Sequence, residues 1–281
     1  MQKTHLSLPL GLTNYTKEGK ILGKVIVVTS GKGGVGKTTV TANLGVALAL
    51  TGKRVLMIDT DTGLRNLDIL LGFEDKALYD VIDVLEGSAQ PEDAFIQHEV
   101  FKCLYMIPAS QTKEKEELQL EKFKEFCLEQ KNRFDYILID CPAGIEYGFK
   151  CALYPADEAI IVAVPDRAAI RDADRVAGLI EEGYPNVKET HLLVNRLIPE
   201  LADIGKTAGA EETLFTVAVK LIGIIPEDPR VLINAYESTL CVTDRKSPAG
   251  KAIKNIARRL NGESVKLLNL NKKRLFKKKY R

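Results

Sequence analysis

The chain has 281 residues, of which 45% are hydrophobic and 28% charged. This composition is typical of a soluble globular protein and excludes a collagen-like chain, a disordered chain and a multi-spanning membrane protein. The net charge of +2 conceals an asymmetry, because eight Lys or Arg and no acidic residue lie between Lys266 and Arg281. We therefore expect a mildly acidic body with a strongly basic tail.

Cysteine and histidine usage indicates neither disulfides nor a metal centre. The five cysteines are widely spaced and form no C-x-x-C motif, so we expect buried, reduced thiols. The three histidines are scattered and predict no zinc site. No apolar run reaches the roughly 18 residues of a transmembrane helix.

Strands and helices alternate along the predicted chain. Residues 1–22 are interpreted as an N-terminal extension. Apolar runs rich in β-branched residues predict strands at 24–29, 54–58, 104–107, 135–139, 158–164, 191–194 and 221–225. Helical spacing of apolar residues predicts helices at 38–50, 113–132, 170–182 and 248–260.

This alternation predicts an α/β fold, with a mainly parallel twisted sheet covered by helices on both faces. The connections are short, and the composition changes only near residue 262. We therefore predict one domain over residues 23–262, followed by a basic tail at 263–281.

A glycine-rich segment, GKGGVGKTT, lies between the first predicted strand and the first predicted helix. Its residues are Gly31, Lys32, Gly33, Gly34, Val35, Gly36, Lys37, Thr38 and Thr39. It fits the phosphate-binding pattern G-x-x-x-x-G-K-[ST], whose glycines let backbone N–H groups approach phosphate oxygens. We expect the segment to bind a nucleotide, with Lys37 bridging the β- and γ-phosphates and the Thr38 hydroxyl binding Mg²⁺.

Three aspartates follow predicted strands. Asp59 and Asp61 come after the second strand, and Asp140 closes the apolar run DYILI. Ligands bind at the carboxyl ends of parallel strands. We expect Asp61 to orient the attacking water, Asp59 to support the loop lysine or Mg²⁺, and Asp140 to hold Mg²⁺ directly or through water. Helix capping is the alternative for any single aspartate, and Gly144 is expected to sense the γ-phosphate through its backbone N–H.

A second group of residues is expected around the base of the nucleotide. Asn195 and Arg196 close one predicted strand, and Pro226, Glu227 and Asp228 follow the next. An Asn amide offers both a donor and an acceptor, which suits the edge of adenine. A turn Asn is the alternative.

The glycine-rich segment contains a second lysine, Lys32. Three further segments of the chain are informative together with it. They are residues 59–72 (DTDTGLRNLDILLG), 139–149 (IDCPAGIEYGF) and 170–176 (IRDADRV). Together these features closely resemble the ParA/MinD family of deviant Walker A P-loop ATPases (SIMIBI class), and within it the septum-placing MinD branch, including its plastid members. The resemblance covers about residues 23–281.

The resemblance implies an ATP- and Mg²⁺-dependent homodimer, in which Lys32 reaches the nucleotide of the partner subunit and acts with Lys37 and Asp61 in catalysis. It also implies a MinE-like activator and MinC-like or other division proteins as partners. Three features depart from the family pattern. Thr62 stands where an aliphatic residue is usual, Glu146 and Tyr147 are atypical, and residues 234–242 (NAYESTLCV) replace a more polar, glycine-containing segment.

The basic tail has a moderate apolar stripe when it is drawn as a helix. Val265, Leu268, Leu275, Phe276 and Tyr280 fall within one arc of about 140°. Most of the Lys and Arg residues fall outside it. A basic amphipathic helix of this kind lies on an anionic membrane, and the resemblance implies the same function. A solvated basic tail and a nucleic-acid patch are the alternatives.

The sequence thus predicts an ATPase that cycles on and off a membrane and positions a division septum, with hydrolysis releasing it. No specific nucleic acid is expected. The alternatives are a ParA-type DNA-partitioning ATPase, an electron-transfer ATPase resembling the nitrogenase iron protein, and an ATP-binding scaffold without turnover. The expected location is the plastid stroma and the inner envelope surface, with a bacterial cytoplasm and cell membrane as the alternative.

Overall fold

The computed structural model describes residues 22–62, 66–74, 76–111, 118–268 and 270. Its eight strands form one sheet. The strands are β1 (Lys24–Thr29), β2 (Val55–Asp59), β3 (Ile96–Gln97), β4 (Leu104–Ile107), β5 (Tyr136–Asp140), β6 (Glu158–Ala163), β7 (Glu189–Leu197) and β8 (Lys220–Pro226).

The strands are arranged in the order β3-β4-β2-β5-β1-β6-β7-β8. All neighbouring pairs are parallel except β3 with β4. The central strands β1, β2 and β5 are buried along almost their whole length, as expected of continuous apolar runs that are covered on both faces. Asp59 and Asp140 are register partners at the carboxyl ends of β2 and β5, so the sheet places two carboxylates side by side.

Eleven helices connect or follow the strands in the described part of the chain. They are α1 (Lys37–Ala49), α2 (Leu67–Leu71), α3 (Val81–Glu86), α4 (Pro91–Ala94), α5 (Leu120–Gln130), α6 (Tyr147–Leu153), α7 (Arg167–Gly183), α8 (Pro199–Asp203), α9 (Ala210–Val217), α10 (Pro229–Tyr236) and α11 (Pro248–Leu260).

Two hydrophobic clusters lie on the two faces of the sheet. Helices α3, α5, α6, α7 and α9 contribute to the first cluster. Helices α1, α2 and α11 contribute to the second cluster. Alternate residues of each central strand point to opposite faces, so Val27 belongs to the first cluster and Val28 to the second. The predicted α/β fold with helices on both faces is therefore confirmed.

The predicted strands all form, with ends that differ by no more than three residues. The prediction of a helix at 113–132 is wrong at its start, because α5 begins only at Leu120. Residues 112–117 lie outside the described residues. Leu118 is buried in the first cluster, and its carbonyl accepts hydrogen bonds from the Tyr147 hydroxyl and the Cys151 thiol. These contacts with α6 hold Leu118 outside the helix.

The C-terminal helix of the described chain is α11. Residues 263–268 follow it without regular secondary structure, so the amphipathic helix that the sequence predicts from Val265 onward is not formed at Val265 or Leu268. Leu275, Phe276 and Tyr280 lie outside the described residues, as do residues 1–21. Within the described part of the chain, no helix is long and apolar enough to cross a membrane.

Candidate functional site

The glycine-rich loop joins the buried strand β1 to the N-terminus of α1. Gly34 and Gly36 have φ angles of 77° and 94°, a left-handed conformation that favours glycine. Gly36 is the N-cap of α1, no side chain caps the helix, and its first turn contains no acidic residue. The N–H groups at this end and the helix dipole are therefore available to an anion such as a phosphate.

Close packing fixes the shape of the loop. A Cβ atom at Gly31 would lie 2.6 Å from the Asp172 Cβ of α7, and one at Gly36 would lie 2.6 Å from the Asn195 Nδ2. The Asn195 side chain donates a hydrogen bond of 2.8 Å to the Val35 carbonyl. Helix α7 and strand β7 thus hold the loop from two sides. No larger residue fits at Gly31, and a side chain at Gly36 would displace the Asn195 amide.

The two loop lysines have different environments. Lys37 is buried, and its Nζ donates a 3.0 Å hydrogen bond to the Ser30 hydroxyl, which in turn donates to the Lys32 carbonyl. Lys32 lies at the surface, where its side chain is 48% exposed and its Nζ is 3.8 Å from the Asp166 carboxylate. Lys37 is therefore preorganised inside the site, while Lys32 lies at the protein surface beside Asp166.

Three carboxylates meet at the ends of β2 and β5. The Asp59 carboxylate accepts a 2.9 Å hydrogen bond from the Asp61 backbone N–H. The Asp140 carboxylate accepts one of the same length from the Thr41 hydroxyl. Burial, reinforced by the neighbouring Asp140, raises the pKa of Asp59 well above its usual value. The predicted convergence of Asp59, Asp61 and Asp140 beside the loop is thus observed.

Burial also raises the pKa of Asp140, to about 6, although hydrogen bonds from Thr38 and Thr41 and the charge of Lys37 oppose this rise. Two buried carboxylates in one register repel each other, so the site attracts a cation. Mg²⁺ prefers oxygen ligands and commonly takes one or two from the protein and the rest from phosphates and water. The Thr38 hydroxyl and the Asp140 carboxylate fit that requirement. Among the described residues, no group of three or more His, Cys, Asp or Glu side chains is placed to hold a metal ion.

A pocket of about 220 Å³ continues from the loop toward the ends of β7 and β8. It is lined by the residues predicted to surround the base, namely Asn195, Arg196, Pro226, Glu227 and Asp228, and by Gly34, Gly36 and Thr39 of the glycine-rich segment. Apolar side chains from α10 and α11, including Val231, Leu232 and Ile253, complete the lining. The arrangement suits a flat heterocycle enclosed by apolar groups with a few polar groups at its edge.

Some of the residues that line this pocket also have structural roles that the sequence did not indicate. The Asp228 carboxylate accepts hydrogen bonds from the Arg230 N–H, the Ser247 hydroxyl and the Ala249 N–H, so it joins the start of α10 to the start of α11. Arg196 has a positive φ of 58° and pairs with Glu227 at 2.8 Å. The side-chain amide of Asn195 donates a hydrogen bond to the Val35 carbonyl of the loop. This side chain therefore stabilises the phosphate site and also borders the base pocket.

The loop after β5 approaches the phosphate site. Gly144 has a φ of 96° and lies in the turn before α6. A Cβ atom at Gly33 would lie 3.8 Å from the Ala143 Cβ, which places this turn against the glycine-rich loop. Gly144 therefore directly follows a residue that lies beside the glycine-rich loop.

The described cysteines do not form a cluster site. All five are free, and four of them, all but Cys103, are buried. Burial raises the pKa of Cys141 and of Cys241 to about 12, so both are neutral thiols.

Sequence reasoning missed three side chains that organise the site. Ser30 orients Lys37, and Thr41 binds Asp140. Asn43 in α1 accepts hydrogen bonds from the Cys241 thiol and the Val242 N–H. The atypical segment 234–242 is thus tied to α1. Only the position of Thr41, one turn after Thr38, offered a signal.

Comparisons with known proteins agree with this site. Residues 23–190 match the family described as AAA domain. The septum site-determining protein MinD of Synechocystis is 46% identical over 88% of this chain and 93% of its own length. A relative from Chlorella vulgaris is 42% identical and covers 92% of this chain and 91% of its own length.

Solved structures show the same fold. The MinC:MinD cell division protein complex of Aquifex aeolicus aligns with a TM-score of 0.81 and 45% identity, over 88% of this chain and 99% of the matched chain. The septum site-determining protein MinD of Pyrococcus horikoshii, solved with Mg-ADP, aligns with a TM-score of 0.76 and 31% identity, over 85% and 96% of the two chains.

The chain has the phosphate loop, the converging carboxylates and the base pocket of an ATPase that uses ATP and Mg²⁺. Its identity to MinD proteins extends over nearly the whole described chain. This protein is therefore a member of the MinD family of ATPases.

Proposed function

We propose that this protein is a peripherally membrane-binding ATPase that dimerises on Mg-ATP and positions the division septum, and that hydrolysis releases it from the membrane. The contrast between the two loop lysines carries this proposal. Lys37 is buried and held by Ser30, whereas Lys32 is half-exposed and lies 3.8 Å from its nearest acidic partner, Asp166. Two facing subunits would let each Lys32 reach the other's phosphates.

Within each site the chain's own residues have separate tasks. Lys37 and the N-terminus of α1 bind and neutralise the phosphates. Asp61, beside the carboxylate pair, orients the attacking water. Thr38 and Asp140 would hold Mg²⁺, which when bound would supply positive charge beside the phosphate oxygens. The partner's Lys32 then stabilises the charge that develops in phosphoryl transfer, as an arginine finger does elsewhere.

The basic tail provides the membrane contact. Each Lys or Arg near an anionic surface contributes about 1 kcal/mol, which is weak for one tail. Two tails on one dimer bind much more strongly through effective concentration. Dimerisation on ATP would therefore switch membrane binding on. Partners follow from the family, and the MinC:MinD complex of Aquifex aeolicus supports a MinC-like partner. A MinE-like activator would stimulate hydrolysis.

The proposed location is the plastid stroma and the inner surface of the plastid envelope, since relatives of similar identity occur in algae. The bacterial relatives, which are slightly more similar, support the alternative of a bacterial cytoplasm and cell membrane.

Co-sedimentation with anionic vesicles tests the proposal. Full-length protein should pellet with ATP and stay in the supernatant with ADP. Leu275→Glu should abolish pelleting, because it places a charge on the apolar stripe. Asn271→Glu changes the charge equally but lies off the stripe, so it should retain most of the binding. Binding that ignores the nucleotide would contradict the switch, and ATP-dependent retention on DNA instead of vesicles would favour the ParA-type alternative.

A further inference from the structure

A second groove lies beside β8, the strand at one edge of the sheet, and has a volume of about 560 Å³. Its lining is largely apolar and comes from β7, α8, α9 and β8, with the side chains of Leu197, Pro199, Ala202, Leu214, Leu221 and Ile224. Two exposed acids, Asp203 and Glu211, also line it. It shares none of these residues with the nucleotide pocket.

The last described residues of the chain lie beside this groove. Leu267, Leu268 and Leu270 contribute to the lining. Leu270 packs against the same hydrophobic cluster as Leu214 and Ile224, which belong to the groove. The leucines that follow α11 therefore form part of the groove wall.

Arg259, in the last turn of α11, fixes the path of the chain. Its guanidinium donates hydrogen bonds of 2.8 Å to the carbonyls of Val265 and Lys266, and one of 2.9 Å to the Ile222 carbonyl of β8. One side chain thus holds residues 265–266 against the sheet edge and directs the following residues along it.

From this arrangement we propose that the groove is a docking site for the chain's own basic tail, residues 271–281, whose apolar residues Leu275 and Phe276 fill it in the monomer. Phe276 lies six residues beyond Leu270, a span of about 9 Å if helical. The tail carries seven Lys or Arg and no acid, which complements Asp203 and Glu211 at the groove.

Docking would regulate the membrane switch, and in this respect the inference rests on the proposed function. The same apolar residues cannot fill the groove and enter a membrane at once. If nine tenths of the tails are docked, the apparent affinity for a membrane falls about tenfold.

The absence of Trp from the sequence allows a direct test. In the full-length Phe276→Trp protein, without vesicles or nucleotide, the single Trp should emit at short wavelength and resist a soluble quencher. Adding Asp203→Lys and Glu211→Lys should shift the emission to longer wavelength and increase quenching. The matched control is Glu125→Lys with Glu129→Lys, two exposed acids of α5 that carry the same charge change away from the groove; it should leave the emission unchanged.

The same proteins are then mixed with anionic vesicles in the absence of ATP. The groove variant should bind several-fold more tightly than the α5 variant, which has equal net charge. A solvent-exposed Trp in the parent protein, or a buried one that the groove variant does not release, would overturn the docking. An emission that depends on protein concentration would overturn it too, because the occupant would then be a second copy. Release in the groove variant without any vesicle binding would support docking and contradict the membrane function.

Discussion

At the scale of single residues, Thr62 has an unusual environment. It is buried, and within the described chain its hydroxyl has no hydrogen-bond partner. An unsatisfied buried hydroxyl costs about 1–3 kcal/mol. We predict that Thr62→Val raises the free energy of unfolding by about 1 kcal/mol in urea denaturation. Thr41→Val, which removes hydrogen bonds to the Lys37 carbonyl and to Asp140, should lower it. Destabilisation by Thr62→Val would show that its hydroxyl has a partner.

The raised pKa of Asp140 predicts that the free energy of unfolding depends on pH. Its pKa is about 6 in the folded protein against an ordinary value of 3.8, because it is buried. The folded state therefore holds this proton more tightly than the unfolded chain, and stability falls as the pH rises from about 4 to 6. Above pH 6 the ionised group costs up to about 3 kcal/mol. We predict that Asp140→Asn raises the Tm of the nucleotide-free protein at pH 8.

The gain from Asp140→Asn should shrink as the pH falls toward 4, and Mg-ATP should no longer stabilise the variant. Thermal denaturation between pH 4 and 8, with and without Mg-ATP, checks both expectations. A Tm gain that is the same at every pH would show that the carboxylate is not the source of the cost.

At the scale of elements, one aspartate joins two helices. Asp228 caps α10 through the Arg230 N–H and also binds Ser247, the N-cap of α11. Asp80 caps only α3, through the backbone N–H groups of Ile82 and Asp83. We predict that Asp228→Ala costs about 3 kcal/mol or more in urea denaturation, since it leaves a buried Ser247 without its partner. Asp80→Ala should cost about 1 kcal/mol, and equal losses would refute the joint role of Asp228.

The long elements were predictable because their patterns are local. Continuous apolar runs predicted strands β1, β2, β5 and β6. The helical spacing of apolar residues predicted helices α7 and α11. The short helices α2–α4, α6 and α8–α10 were missed because four to eight residues do not establish a helical period. The start of α5 was misplaced because contacts of Leu118 with α6, about thirty residues later, decide it.

At the scale of the whole molecule, the proposed dimer predicts complementation. A site needs its own Asp61 and the partner's Lys32, so Lys32→Ala and Asp61→Asn should each lack stimulated hydrolysis while retaining much of the ATP binding. In an equal mixture, half of the dimers are mixed if pairing is random, and each mixed dimer has one complete site. The mixture should therefore recover about one quarter of the parent activity. No recovery would mean that Lys32 acts within its own subunit.

The site was predictable wherever it follows strand ends. Asp59, Asp61 and Asp140 could be placed together because parallel strands present their carboxyl ends at one edge. The contacts of Asn43 with Cys241 and Val242 span almost 200 residues of sequence, and no local pattern reports them. The same holds for Asn195, whose hydrogen bond to Val35 joins parts of the chain 160 residues apart.

The two edges of the sheet also bear on how copies of this protein meet. At one edge, β3 has only two residues and runs antiparallel to its neighbour. At the other, β8 begins with an exposed Lys220 and ends in Pro226, and Arg259 occupies its Ile222 carbonyl. Short strands, lysine and proline are features that discourage edge-to-edge pairing. Copies of the chain are therefore ill-suited to joining their sheets into a continuous β-structure, which should keep the protein from polymerising through β-strands while crowded on a surface.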